Sequence, residues 1–144
     1  MIEDVGNRLI ELTDDECHEL LESSHIGRLA LIDDDGPLVL PVNYCMDERS
    51  VVFRTDGGTK LDAVSSGVPV AFEVDGTDPA QRIGWSVLIR GSAAAVVEPD
   101  ELSRLQQLPL IPWAPGRKPH YVRISGVPSG RRITLAGMPS RWWG

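Results

Sequence analysis

An antiparallel β-barrel carrying a few short helices is the architecture that this sequence predicts, and three observations predict it. β-branched and apolar residues recur in short segments, several of them alternating with polar ones, as in VPVAFEVD. Successive segments are joined by turn chemistry, most plainly Asp35–Gly36, which suits hairpins and leaves no room for the helical crossovers of a parallel sheet. The helical stretches are short and sit between strands. At 144 residues the chain reads as one domain, 1–144, with a real core and no space for a second, and with 1–12 and 136–144 as flexible or interface tails.

Thr13 and Glu16 form a capping box, with Leu12 placed to staple on Cys17, and open a packing helix that ends near Ser24. Cys17, Leu20, Leu21 and Ser24 share its inward face, while His18 and His25 read as surface or cap residues. Gly27–Ile32, the tip Asp33–Gly36 and Pro37–Met46 form a hairpin. Its three aspartates lack the alternating ligands of a calcium loop. Pro41 cannot donate a ladder hydrogen bond, so it marks an edge or a bulge where backbone is free to face a ligand. Val51–Thr55 is the third strand, followed by a turn at Asp56–Gly58 and a short helix opened by Thr59–Lys60 and closed by Gly67. Val68–Asp75 is the fourth, Gly76–Ile83 a loop, and Gly84–Val97 a long strand interrupted by Gly91–Ser92, as where a strand bends at a barrel corner. A helix from Pro99 carries Leu102, Leu105 and Leu108 and stops at Pro109. The proline-rich residues 109–119 hold Trp113, either a lid over a pocket or a plug on the barrel. His120–Ser125 is a further strand, the turn Gly126–Gly130 follows, and Arg131–Leu135 closes the order, with Trp142 and Trp143 in the tail.

The net charge of −7 hides an asymmetry: residues 1–36 hold eleven acids against Arg8 and Arg28, whereas residues 101–144 hold Glu101 against seven basic residues. An acidic protein is a poor nucleic-acid binder, so the basic third points instead to a cofactor phosphate or an acidic neighbour. No apolar run reaches membrane-spanning length and the N-terminus does not read as a signal peptide, which places the chain in the cytoplasm. Cys17 and Cys45 lack metal-ligand spacing and read as buried hydrophobes. Around Thr59 and Lys60, glycine-loosened backbone, a hydroxyl and a cation meet at a helix start, a combination that serves either as a phosphate cradle or as an ordinary cap with a solvated charge. Walker, dinucleotide and nucleophile-elbow motifs are missing, and no side chains pair as general acid and base. Catalysis, if present, belongs to a bound cofactor.

Taken together, GRLALIDDDGPLVLPVNY, VVFRTDGGTKLDAV, VPVAFEVD and GWSVLIRGSAAAVV resemble the pyridoxamine 5′-phosphate oxidase-like superfamily of flavin-binding split β-barrels, and within it the nitroimidazole-resistance-like branch. The resemblance implies a homodimer with flavin mononucleotide (FMN) at the subunit interface. It assigns Thr59 and Lys60 to the FMN phosphate, Arg54 and Thr55 to the region of phosphate and ribityl, Pro41, Val42 and Asn43 to the ring, and Trp85 and Ser86 to the cofactor at the dimer cleft. The Arg-x-x-x-Leu-Lys strand motif of authentic vitamin B6 oxidases is absent, so a different small, electron-poor substrate is expected. The deazaflavin F420, with Arg117, Lys118, Arg131 and Arg132 receiving its acidic tail, is the alternative cofactor of the same fold, and a flavin- or haem-binding carrier or sensor is the alternative without turnover.

Overall fold

A computed structural model describes residues 8–58, 62, 67–110, 116 and 118–134. Among the described residues, seven strands and two helices follow in the order β1 (Arg8–Leu12), α1 (Asp14–Ser23), β2 (Ile26–Asp33), β3 (Gly36–Asp47), β4 (Ser50–Thr55), β5 (Pro69–Asp78), β6 (Ile83–Ala95), α2 (Pro99–Leu105) and β7 (His120–Thr134). The strand order is β1-β7-β4-β3-β2-β5-β6, every pairing is antiparallel, and β6 also pairs with β7, which closes the barrel. The predicted fold class holds.

Alternation fills the interior. Leu29, Val42, Tyr44, Phe53, Phe72, Val74, Val87, Ile89, Val122 and Ile124 all point inward, and Tyr44 meets Phe72 edge to face with ring centroids 5.0 Å apart. The Tyr44 hydroxyl donates to the Leu21 carbonyl at 2.6 Å, and burial pushes its pKa up to about 12, so it stays a protonated structural tie to α1. The capping box forms as the sequence dictates: the Glu16 amide donates to Thr13 Oγ1 and the Thr13 amide to Glu16 Oε1. Cys17 and Leu12 both pack over Gly130 on β7. A second apolar cluster, Val52, Leu105, Leu110 and Tyr121, seats α2 on the outside of the barrel.

Five expectations change. Residues 8–12 are no tail: they pair with β7 from Arg8↔Thr134 to Leu12↔Gly130. Gly126–Gly130 is no turn, because β7 runs unbroken through it and pairs with β6 along its whole length. β7's other edge serves β4 with residues 120–124 and β1 with residues 130–134, so Pro128 falls in the gap between them, where a missing N–H costs no ladder bond. The loop shrinks to residues 79–82, since β5 continues to Asp78. Finally, β6 does not break at Gly91; its pairing continues through Gly91↔Gly126. His18, expected at the surface, is half-buried, with Nδ1 lacking a hydrogen-bond partner.

Outside the barrel, Asp47 is 7% exposed and lies between Arg104 of α2 and Arg123 of β7, with Arg123 Nη1 2.9 Å from its Oδ2. Arg123 also holds Glu101 at 2.6 Å and donates to Ser50 Oγ. Hydrogen bonds from Arg104, then from Arg123, keep the Asp47 carboxyl below the usual carboxylate range. This cluster clamps α2 to the β3–β4 hairpin.

Candidate functional site

The ladder between β3 and β4 ends early. β3 pairs with β4 only from Tyr44↔Phe53 to Asp47↔Ser50, whereas β4 continues along β7 through Arg54↔Tyr121 and Thr55↔His120. β3 meanwhile stays with β2 back to Gly36. The two strands therefore part, leaving a split whose lips are Pro41–Asn43 on one side and Arg54–Thr55 on the other. The Tyr44 amide donates to the His25 carbonyl at 3.1 Å. Strand alternation then turns the backbone of Pro41 and Asn43 away from β2 and toward the split. Proline is tolerated here because its missing N–H would have had no strand to meet. The Val42 side chain, by contrast, lies in the core at 6% exposure.

On the opposite lip, Thr55 is buried and the half-buried Arg54 is held in place: Nε donates to the Lys118 carbonyl at 2.9 Å and the guanidinium lies 5.3 Å from the Tyr121 ring centroid. The Lys118 ammonium reaches Asp56 at 3.3 Å. Two cations thus stand beside the turn Gly57–Gly58, whose φ values of 101° and 79° suit glycine. The Asp62 amide donates to the Gly58 carbonyl at 2.9 Å, the spacing of one helical turn. Thr59 and Lys60 themselves lie outside the described residues, as do Trp113, Arg117, Trp142 and Trp143. Lys118 was read from sequence only as a partner for a longer acidic tail; its place beside Arg54 depends on a β4–β7 pairing that a basic run in a proline-rich segment does not reveal.

Trp85 and Ser86 sit elsewhere. They are on β6, three strands from β3, so about 14 Å of sheet separates the two groups within one chain. They line a cleft of about 420 Å³ between β1, β5, β6 and β7, together with Leu9, Asp75, Gly84 and Arg131 among others. The indole lies across Gly76, where a Cβ would meet it at 2.7 Å, and packs on the core. Between the cleft and the split, Arg28 bridges Glu73 at 3.0 Å and Asp75 at 2.8 Å. Burial and the neighbouring Asp75 hold the Glu73 carboxyl above its usual range despite that arginine. Among the described residues no group of His, Cys, Asp and Glu could hold a metal ion, and no helix is long and apolar enough to cross a membrane.

Comparison with known proteins places this geometry. The family model described as pyridoxamine 5′-phosphate oxidase matches residues 13–133. An uncharacterized protein of Mycobacterium tuberculosis is 36% identical over 113 residues, which are 75% of this chain and 74% of that one. A Corynebacterium glutamicum crystal structure superposes with a TM-score of 0.80 at 33% identity, covering 90% of this chain and 96% of the other. The structure of the FAD binding protein from Mycobacterium smegmatis follows at a TM-score of 0.74 and 32% identity, with 87% and 98% covered. A closed barrel split between β3 and β4, matched over nearly all of its strands, makes the chain a member of the pyridoxamine 5′-phosphate oxidase family.

Proposed function

We propose that the protein is a homodimeric flavin-dependent oxidoreductase that holds FMN in the split between β3 and β4. The observation that carries this reading is the split itself, with outward-turned backbone at Pro41 and Asn43 facing a lip that ends in cations and a glycine turn. The fit is chemical: the Pro41 carbonyl turned into the split suits the hydrogen-bonding rim of a flavin ring, and Arg54, Lys118, Thr59 and Lys60 suit its phosphate. The similarity to the FAD binding protein of Mycobacterium smegmatis supports a bound flavin. The chemistry that a bound flavin supplies is hydride transfer from a nicotinamide donor to a small electron-poor acceptor such as a nitro compound or quinone. The residues of this chain bind and orient, and exclude water; Tyr44, tied to Leu21, takes no part in proton transfer.

A dimer accounts for the outer face of β2 and β3, where Ile26, Ile32 and Val39 are 41%, 68% and 60% exposed and Pro41 continues the apolar surface. In such a dimer the partner's cleft would supply Trp85 and Ser86, which one chain alone keeps apart from the split. Free Cys17 and Cys45 fit a reducing cytoplasm.

The absorbance spectrum of the purified protein, with mass spectrometry of the small molecule released by heat, tests the cofactor. A flavin is expected; binding of F420 with none of flavin would replace it, and a bound flavin that no pyridine nucleotide reduces would leave a carrier. Thr59→Ala with Lys60→Ala is expected to weaken FMN binding at least tenfold, the loss of a charge-assisted contact of about 1.5–3 kcal/mol, without lowering the melting temperature of the flavin-free protein. Unchanged affinity on fluorescence titration would return both residues to a capping role.

A further inference from the structure

Resting on the dimeric flavin reading, we propose that the cleft between β1, β5, β6 and β7 is the pocket for the electron acceptor, and that it selects an uncharged, flat, apolar ring bearing oxygen acceptors. The strand register builds the cleft from two rows of residues on one face. Thr77, Gly84, Ile133 and Leu9 stand opposite one another across β5, β6, β7 and β1. Asp75, Ser86, Arg131 and Glu11 form the neighbouring row, two residues along each strand and so on the same face. Gly84 brings no side chain to the first row, which leaves a trough between Thr77 and the apolar Ile133 and Leu9, 37% and 59% exposed. A flat ring laid in that trough takes both apolar side chains out of water. The second row is polar but matched in charge: Arg28 holds Asp75 at 2.8 Å, and Arg131 stands opposite Glu11. A carboxylate or sulfonate entering here would give up its hydration without finding an unmatched cation. The Thr77 and Ser86 hydroxyls, which have no hydrogen-bond partner among the described residues, are left to donate to a carbonyl or nitro oxygen. At about 420 Å³ the cleft falls in the range of small-molecule sites. Trp85 and Ser86 are the residues expected to reach the partner's cofactor, so the dimer that completes the flavin site also lays this pocket against it.

Equilibrium dialysis with 4-nitrotoluene and 4-nitrobenzoate, alike in shape and different in charge, tests the pocket without turnover. Wild-type protein is expected to bind 4-nitrotoluene about tenfold more tightly than 4-nitrobenzoate. Gly84→Val fills the trough with a residue that suits a strand and should weaken 4-nitrotoluene binding about tenfold. Leu9→Ser changes an exposed position on the opposite wall and should weaken it about fivefold. In the flavin-loaded protein, Gly84→Val is expected to raise KM for the uncharged duroquinone about tenfold at unchanged kcat. Equal binding of the two nitro compounds by wild-type protein, or an unchanged Kd and KM in both variants, would overturn the pocket. Failure of wild-type protein to bind any flavin is a separate outcome that removes the flavin reading, and dialysis then judges the cleft alone. Binding of 4-nitrotoluene that both variants weaken supports a pocket for uncharged rings, and no binding to wild type ends it.

Discussion

Replacing Gly91 with alanine is expected to destabilise the protein by about 3 kcal/mol or more, among the largest effects of any single methyl group in the molecule. A Cβ on Gly91 would stand 1.8 Å from the Ser125 carbonyl oxygen, and one on Gly126 2.4 Å from the Arg90 carbonyl oxygen. Both obstacles are backbone of the paired β6 and β7, so no rotamer change relieves them. The two glycines face each other in the β6–β7 register and let the closing strands approach. Thermal unfolding of Gly91→Ala measures the loss directly. A melting temperature within a degree of wild type would mean that β6 and β7 yield at this point.

Asp47→Ala should cost about 2–3 kcal/mol, because it strips the shared acceptor from Arg104 and Arg123. The full penalty for a broken buried pair is not reached, since the Arg104 side chain is 53% exposed and water can take over part of its charge. For a domain of this size that is a fall of roughly 5–10 °C in melting temperature. The pH dependence has a definite sign. The Asp47 carboxyl is depressed in the folded state, so its contribution is present above the unfolded pKa of about 3.9 and is lost as pH falls through the lower folded value. The gap between wild type and variant should therefore be constant near neutral pH and narrow below about pH 4. A gap that persists undiminished in acid would assign the loss to packing instead of charge.

Most of the barrel was legible because local chemistry and tertiary need agree. Thr13 and Glu16 announce α1, Asp35–Gly36 announces the β2–β3 tip, and the alternation of Val70, Phe72 and Val74 announces the buried side of β5. The failures have physical causes. Gly126, Pro128 and Gly130 carry turn chemistry, yet Pro128 meets an edge with no partner and the glycines meet obstacles, so tertiary contacts override the local preference. β1 reads RLIEL, without alternation, and only its partner on β7 makes it a strand. Of the site, Pro41 was readable as a break in pairing, because proline lacks a donor wherever it stands. The association of Arg54 with Lys118 was not, since it spans 64 positions of chain and depends on β7 lying beside β4.

The sharing of β7 among three partners has a consequence for how the barrel comes into being. Its pairings with β1, β4 and β6 reach back across almost the whole described chain, from Thr134 to Arg8. Until β7 emerges from the ribosome, β4 and β6 both wait with open backbone edges and the interior has no closing wall. Such long-range closure is slow compared with local pairing, and the waiting species exposes unpaired strands. The β2–β3 and β5–β6 hairpins, joined through the β2–β5 pairing, can assemble first, so the nascent chain passes through an open sheet before it becomes a barrel.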